Sequence, residues 1–173
     1  MDEFKSQESC NPYFEKAYGY AVFPTIAKVG IAAVGGAGGQ GDIYINKESG
    51  SPEKVGTSKM IQVSLGPQFG GQIYSLIIFF EREGDYKRFI VDNFEFGADA
   101  NAVALTASAG AKVSTIDNNL NIQGGVRGTK HKFKRTTNTL MYTKGMAVFT
   151  STIGGLMYEA SLSGQKFKFK ALE

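Results

Sequence analysis

Hydrophobic positions recur at every second residue over much of the chain. Ile61, Val63 and Leu65 alternate with Gln62 and Ser64, and Leu156, Tyr158, Ala160 and Leu162 alternate with Met157, Glu159, Ser161 and Ser163. After the turn Ser163-Gly164-Gln165, the run Lys166-Phe167-Lys168-Phe169-Lys170 alternates without a break. A period of two marks a strand whose two faces meet different surroundings. The same reading predicts strands over Tyr20–Phe23, ending at Pro24, and over Gln72–Glu81, the most apolar. Lys28–Gly36 and Asp42–Asn46 flank the corner Gly38-Gly39-Gln40-Gly41 and read as a hairpin, followed by a polar loop over Lys47–Lys59. Gly66-Pro67 and Gly70-Gly71 read as two breaks, and Thr139–Thr152 and Gly155–Ser163 as two late strands. Phe94–Ser114, rich in Ala and Gly, reads as a strand pair bent at Gly110.

Helical signals are few. Asn11 can cap a helix, Pro12 suits its first position, and Gly19 can stop it. Gly84–Asn93 predicts a second helix, with Tyr86, Phe89 and Ile90 on one side. The expected fold is therefore α+β and predominantly β: a small antiparallel barrel or strongly curved sheet with two or three short helices. Residues 1–10 are expected as a flexible N-terminus and 11–173 as one domain.

Composition sharpens this. Glycine supplies 22 of 173 residues, against an average share of roughly 7%, and without a G-X-Y period it must serve turns, bulges and close strand approach. A 42% hydrophobic content excludes a disordered chain. One Cys excludes an internal disulfide framework, and one His removes most histidine-based metal and catalytic clusters. No apolar run reaches the ~18–20 residues of a membrane span. No apolar signal-peptide core is visible, so the chain is expected to be cytoplasmic, or periplasmic or membrane-associated if an export signal has been removed.

Candidate catalytic chemistry does not assemble. Gly36-Ala37-Gly38-Gly39-Gln40-Gly41 has G-x-G-x-x-G spacing, but a strand follows where a dinucleotide site needs a helix. His131, between Lys130 and Lys132, reads as a surface histidine. Asp117-Asn118-Asn119 lacks the ligand pattern of a calcium loop, and Glu81 and Glu83 read as solvated punctuation. Cys10 has no base in prospect. The expectation is a non-enzymatic protein with no cofactor and no metal.

The net charge of +3 is unevenly divided: residues 1–99 carry −4 and residues 100–173 carry +7. Arg127, Lys130, Lys132, Lys134 and Arg135 form one basic run, with Phe133 inside it, and Lys166, Lys168 and Lys170 form another. Such a half either meets an anionic partner or is simply a solvated face.

The order of motifs resembles the SYLF domain family. The resemblance rests on Gly19-Tyr20-Ala21-Val22-Phe23-Pro24-Thr25-Ile26-Ala27-Lys28-Val29-Gly30, on Gln62–Ser75, on Asn93–Ala98, on Lys144–Phe149 and on Gly155–Phe167. It spans about residues 11–172 and looks like the bacterial stand-alone branch, related to yeast actin-patch proteins. It implies phospholipid binding, with actin-filament binding in some eukaryotic relatives. Family lipid binding involves a basic N-terminal segment, whereas here the first twenty residues hold only Lys5 and Lys16 against Asp2, Glu3, Glu8 and Glu15. Leu76 stands where the family usually has Glu.

The expected function is a peripheral module binding an anionic phospholipid surface, with a protein-interaction module of the actin-binding type and a barrel enclosing a small apolar ligand as the alternatives. Nucleic acid is not an expected partner, because no aromatic-basic RNA motif is present. The lipid-contacting candidates are Arg127, Lys130, Lys132, Phe133, Lys134, Arg135, Lys166, Lys168, Lys170 and, at the N-terminal helix, Lys16. Phe133 could insert into the interface or face the core, while Phe167 and Phe169 are expected to face the core.

Overall fold

The alternating segments pair into a single sheet. The structure, a computed structural model, describes residues 2–47, 50–91, 94–96, 102–105, 114–115, 140, 142–159 and 162–172. Its strands are β1 (Gly19–Ile31), β2 (Val34–Asn46), β3 (Pro52–Leu65), β4 (Gln68–Phe80), β5 (Phe94–Phe96), β6 (Ala102–Leu105), β7 (Ser114–Thr115), β8 (Met146–Glu159) and β9 (Leu162–Ala171). They run in the order β5-β9-β3-β2-β1-β4-β8-β6-β7, all neighbours antiparallel except β6 and β8. Three short helices accompany them: α1 (Asp2–Lys5), α2 (Asn11–Lys16) and α3 (Glu83–Ile90). The α+β, predominantly β expectation holds, but the sheet curves without closing. Its edge strands among the described residues, β5 and β7, have three and two residues and do not pair with each other.

Several boundaries differ from the sequence reading. Strand β1 does not stop at Pro24. Its register shifts between Val22 and Thr25 against β2 and between Phe23 and Ile26 against β4, a bulge that absorbs the proline's missing N–H. The glycine run 38–41 is no corner but lies inside β2, and the chain reverses at Ala32-Ala33, with Ala32 at φ 58°. The bulge explains the glycines. A Cβ on Gly41 would stand 2.4 Å from the Val22 carbonyl oxygen and 2.7 Å from the Phe23 ring, and one on Gly39 2.6 Å from the Thr25 carbonyl oxygen.

The polar stretch 52–59 is strand, paired from Pro52↔Asn46 to Lys59↔Gln40. Gly70-Gly71 does not interrupt β4, and the two late strands are one, β8, entered through Lys144 (φ 52°) and Gly145 (φ 77°). Of the expected pair in 94–114, β6 meets β7 at Val103↔Thr115, while Gly110 lies outside the described residues. Helix α2 begins at Asn11 itself, with Cys10 at the N-cap position and no side-chain capping bond, and Gly19 already belongs to β1. Within the expected flexible lead-in 1–10, α1 forms, and Phe4 and Cys10 are buried.

The sheet is packed on both faces at one end only. On the inner face Phe23, Ile43, Leu76, Ile78, Phe80 and Phe167 meet Tyr86 and Phe89 of α3. On the outer face Phe4, Cys10, Tyr13 and Ala17 of the N-terminal segment cover Tyr20, Val22, Ile77, Phe79 and Phe149. Tyr13 stands edge-on to Phe149 at 5.1 Å and Phe14 to Phe79 at 4.9 Å. The side-chain amide of Asn46 donates to the carbonyls of Phe14 (3.1 Å) and Ala17 (2.9 Å), tying α2 to β2. Burial on both faces is why Leu76–Phe80 is continuously apolar.

Candidate functional site

The N-terminal helices cover the outer face at one end. Beyond the Pro24 bulge no element among the described residues covers the same face, and its side chains are largely apolar. Val29 and Ile31 on β1, Val34 on β2, and Ile61, Val63 and Leu65 on β3 are all exposed. Phe69 and Ile73 extend the surface onto β4. Backbone register brings them side by side, with Leu65 opposite Val34 and Val34 opposite Ile31. Monomeric proteins rarely expose contiguous apolar surface of this extent without a use for it.

The inner face of the same end is polar. Gln62, Ser64 and Gln68 are 3%, 0% and 2% exposed. The Ser64 hydroxyl donates to Gln68 Oε1 at 2.8 Å, and Gln68 Nε2 donates to the carbonyls of Ser64 and Gly66, each at 3.2 Å. Gln62 Oε1 accepts from Gln165 Nε2 at 3.0 Å and from the Tyr74 hydroxyl at 3.4 Å. The usual arrangement of apolar side chains inward and polar side chains outward is therefore inverted in the last part of β3, from Ile61 to Leu65.

Lys166, Lys168 and Lys170 lie on this outer face. Lys166 pairs with Ile61, Lys168 with Lys59 and Lys170 with Thr57, while Phe167 turns inward and is buried and Phe169 is half-buried against the inner core. No Asp or Glu occurs in 24–41, 56–80 or 162–172, while on the far side of β9 Glu95 of β5 stands opposite Lys166 in the backbone register. Lys54, further along β3, is paired with Asp42 at 2.8 Å, and this contact raises its pKa. Gln40, Asp42, Thr57 and Lys59 line a pocket beside Pro24.

The remaining candidates do not join this group. Lys16 is exposed at the end of α2, on the helix-covered end. Arg127, Lys130, Lys132, Phe133, Lys134 and Arg135 lie outside the described residues. Cys10 is buried beneath α1 and α2, and burial pushes its thiol up to about 11, which makes it a poor nucleophile. Among the described residues no three His, Cys, Asp or Glu side chains could share a metal. The G-x-G-x-x-G segment is a strand on both sides of the glycines, without the helix a dinucleotide needs.

Sequence reasoning found the three β9 lysines and missed the apolar surface beside them. Alternation cannot say which face of a strand is outermost. A usable signal lay in the turns: Ala32-Ala33 and Gly66-Pro67 carry no polar side chain, unlike ordinary surface turns.

Comparison with known proteins agrees with the resemblance seen in the sequence. The chain is 27% identical over 165 residues to beta cell expansion factor A of Aeromonas veronii, covering 95% of this chain and 50% of that protein. The chain thus spans about half the length of the curated relative it matches. No solved structure matches it. The family model described as Ysc84, Las17-binding protein actin regulator, matches residues 61–170, which run from the exposed apolar residues of β3 to the last lysine of β9. With most of its length so matched, the chain belongs to the Ysc84, or SYLF, family, a family of lipid-binding and actin-linked domains.

Proposed function

We propose that the protein is a non-catalytic module that binds anionic phospholipid surfaces through the uncovered outer face of its sheet. The observation that carries this reading is the meeting, on one face, of exposed apolar side chains with Lys59, Lys166, Lys168 and Lys170. Each lysine near an anionic bilayer contributes ~1 kcal/mol, so the exposed Lys59, Lys168 and Lys170 together give an attraction above thermal energy. The basic run from Arg127 to Arg135 adds five cations to the same half of the sequence. Family membership supports the reading in kind, since the family includes lipid-binding domains. The family's description as actin regulators favours a second reading, a protein-interaction module, which filament co-sedimentation tests directly.

The deciding experiment is co-sedimentation of the chain with phosphatidylserine-containing and purely phosphatidylcholine vesicles at two salt concentrations. Binding to the anionic vesicles alone, falling steeply as salt shortens the screening length to about 8 Å or less, is the expected outcome. Equal recovery with both vesicle types overturns it. Lys166→Glu/Lys168→Glu/Lys170→Glu and Lys130→Glu/Lys132→Glu/Lys134→Glu then divide the attraction between the two basic groups.

A further inference from the structure

The uncovered end of the sheet finishes in two hairpin turns, Ala32-Ala33 between β1 and β2 and Gly66-Pro67 between β3 and β4. The turns are laced together: the Gly66 N–H donates to the Ala33 carbonyl at 2.9 Å and the Gln68 N–H to the Ala32 carbonyl at 2.7 Å. The Gly66 carbonyl accepts from the Gln68 side chain, and Pro67 has no N–H to satisfy. Across 29–36 and 63–71 the only polar side chains are Ser64 and Gln68, and both turn inward and bond each other. What faces outward here is Ile31, Val34, Leu65 and Phe69, 58–74% exposed. By contrast, the connection between β2 and β3, at the opposite end of the sheet, contains Lys47 and Ser51.

We infer that this twin-hairpin tip enters the hydrocarbon layer of one leaflet, with the lysines of β3 and β9 halting at headgroup level. The inference rests on the lipid-binding reading and adds a depth and an orientation to it. Two independent observations carry it. First, backbone polar groups that enter hydrocarbon must be satisfied internally, and here the carbonyls of Ala32, Ala33 and Gly66 and the N–H groups of Gly66 and Gln68 are paired across the two turns and with the Gln68 side chain. A water-facing turn has no such need.

Second, the cations stand at a fixed height. Lys166 is opposite Ile61, four residues from Leu65, and Lys59 is six residues from Leu65. At ~3.3 Å per residue the tip reaches about 13 Å beyond the first lysine and about 20 Å beyond the second, against a half-bilayer core of about 15 Å. That is the depth of one leaflet. On β8 Glu159 stands opposite Gln68 in the backbone register, level with the tip, and Lys28 is buried on the inner face three residues from Ile31. The surface that enters hydrocarbon is therefore confined to the outer face of β1, β2 and β3 and to Phe69.

The chain has no tryptophan, so Phe69→Trp makes the tip its sole tryptophan reporter. Added to phosphatidylserine/phosphatidylcholine vesicles, this variant should shift its emission to the blue and be quenched by lipids brominated along the acyl chain. Thr57→Trp, at the lysine level, should be quenched much less. Leu65→Asp should lower vesicle affinity by on the order of tenfold or more, with an unchanged melting temperature. Ile31→Trp, equally exposed, repeats the measurement should Phe69→Trp misfold.

Co-sedimentation without a shift or acyl-chain quenching at either tip position overturns insertion while leaving surface binding in place. Loss of co-sedimentation in the parent chain overturns both. A blue shift that appears without vesicles and rises with protein concentration, together with a doubled mass, means that a second copy covers the tip, and it overturns the inference as well.

Discussion

The two ends of the sheet use the same strands to opposite purposes. At the helix-covered end, β1, β4 and β8 carry aromatic and branched residues on both faces, and α1 and α2 close the outer one. At the other end the inner face is polar and hydrogen-bonded, and the outer face is apolar and bare. The bulge at Pro24 marks the change. Stability is concentrated at the first end, and the second, relieved of that task, can present apolar surface for binding. A protein selected for stability alone would not leave Phe69 73% exposed while burying Gln68.

The sharpest way to break this comparison is to truncate one phenylalanine from each end. Phe79→Ala should cost ~3–5 kcal/mol, since Phe79 is fully buried and touches Tyr13, Phe14, Tyr20 and Phe149. Phe69→Ala should change stability by no more than about 0.5 kcal/mol. Denaturant unfolding of the two variants measures both, and similar losses would mean that the bare end is part of the core.

Glycines give a second, smaller contrast. Gly41→Ala pushes a Cβ to 2.4 Å from a backbone oxygen and should cost roughly 1–3 kcal/mol. Gly38→Ala, whose Cβ would sit 3.6 Å from the Met60 carbonyl oxygen on the outer face, should be neutral or stabilising by up to about 1 kcal/mol. Equal costs would show that the whole glycine run serves strand packing.

Alkali should act first at the covered end. Cys10 stays protonated up to about 11 in the folded protein, against 9.0 for an ordinary thiol. Between these values the unfolded chain releases a proton that the folded one retains, so stability falls as pH rises, by at most about 1.4 kcal/mol per pH unit. Tyr20, raised to about 12 by burial and the neighbouring Tyr44, continues the fall above 10. Cys10→Ala should flatten the lower part of this decline and leave stability below pH 8 without a slope from this group. The smallest effect belongs to Lys168→Glu/Lys170→Glu, whose melting temperature should barely move because exposed charges add little to stability.

Much of the fold was legible because a period of two is hard to mistake, as in β9 with Phe167 in and Lys168 out. Helix α3 was legible from the spacing of Tyr86 and Phe89. What misled was the usual meaning of glycine and proline. Pro24 reads as a stop unless a bulge absorbs it, and glycines 38–41 read as a turn unless that bulge is known to press on β2. The burial of Ser64 and Gln68 depends on their bonding each other across a turn, which alternation does not encode. Of the two expected forms, barrel or strongly curved sheet, the curved sheet is the one found, and alternation could not choose between them because closure depends on the edge strands, which among the described residues are the short β5 and β7. At the candidate site the β9 lysines were visible in sequence, but their partnership with residues a hundred positions earlier was a matter of register alone.

The strand order carries a consequence for biogenesis. Strands β1 to β4 are complete by residue 80, yet β3 and β4 acquire their outer neighbours only from β9 and β8, beyond residue 145. Until those arrive on the ribosome, the emerging chain displays two unpaired ladders next to an apolar tip, the combination that invites association between nascent chains. Synthesis halted between the two halves should therefore yield aggregates that chaperones must hold, whereas in the finished protein both ladders are paired.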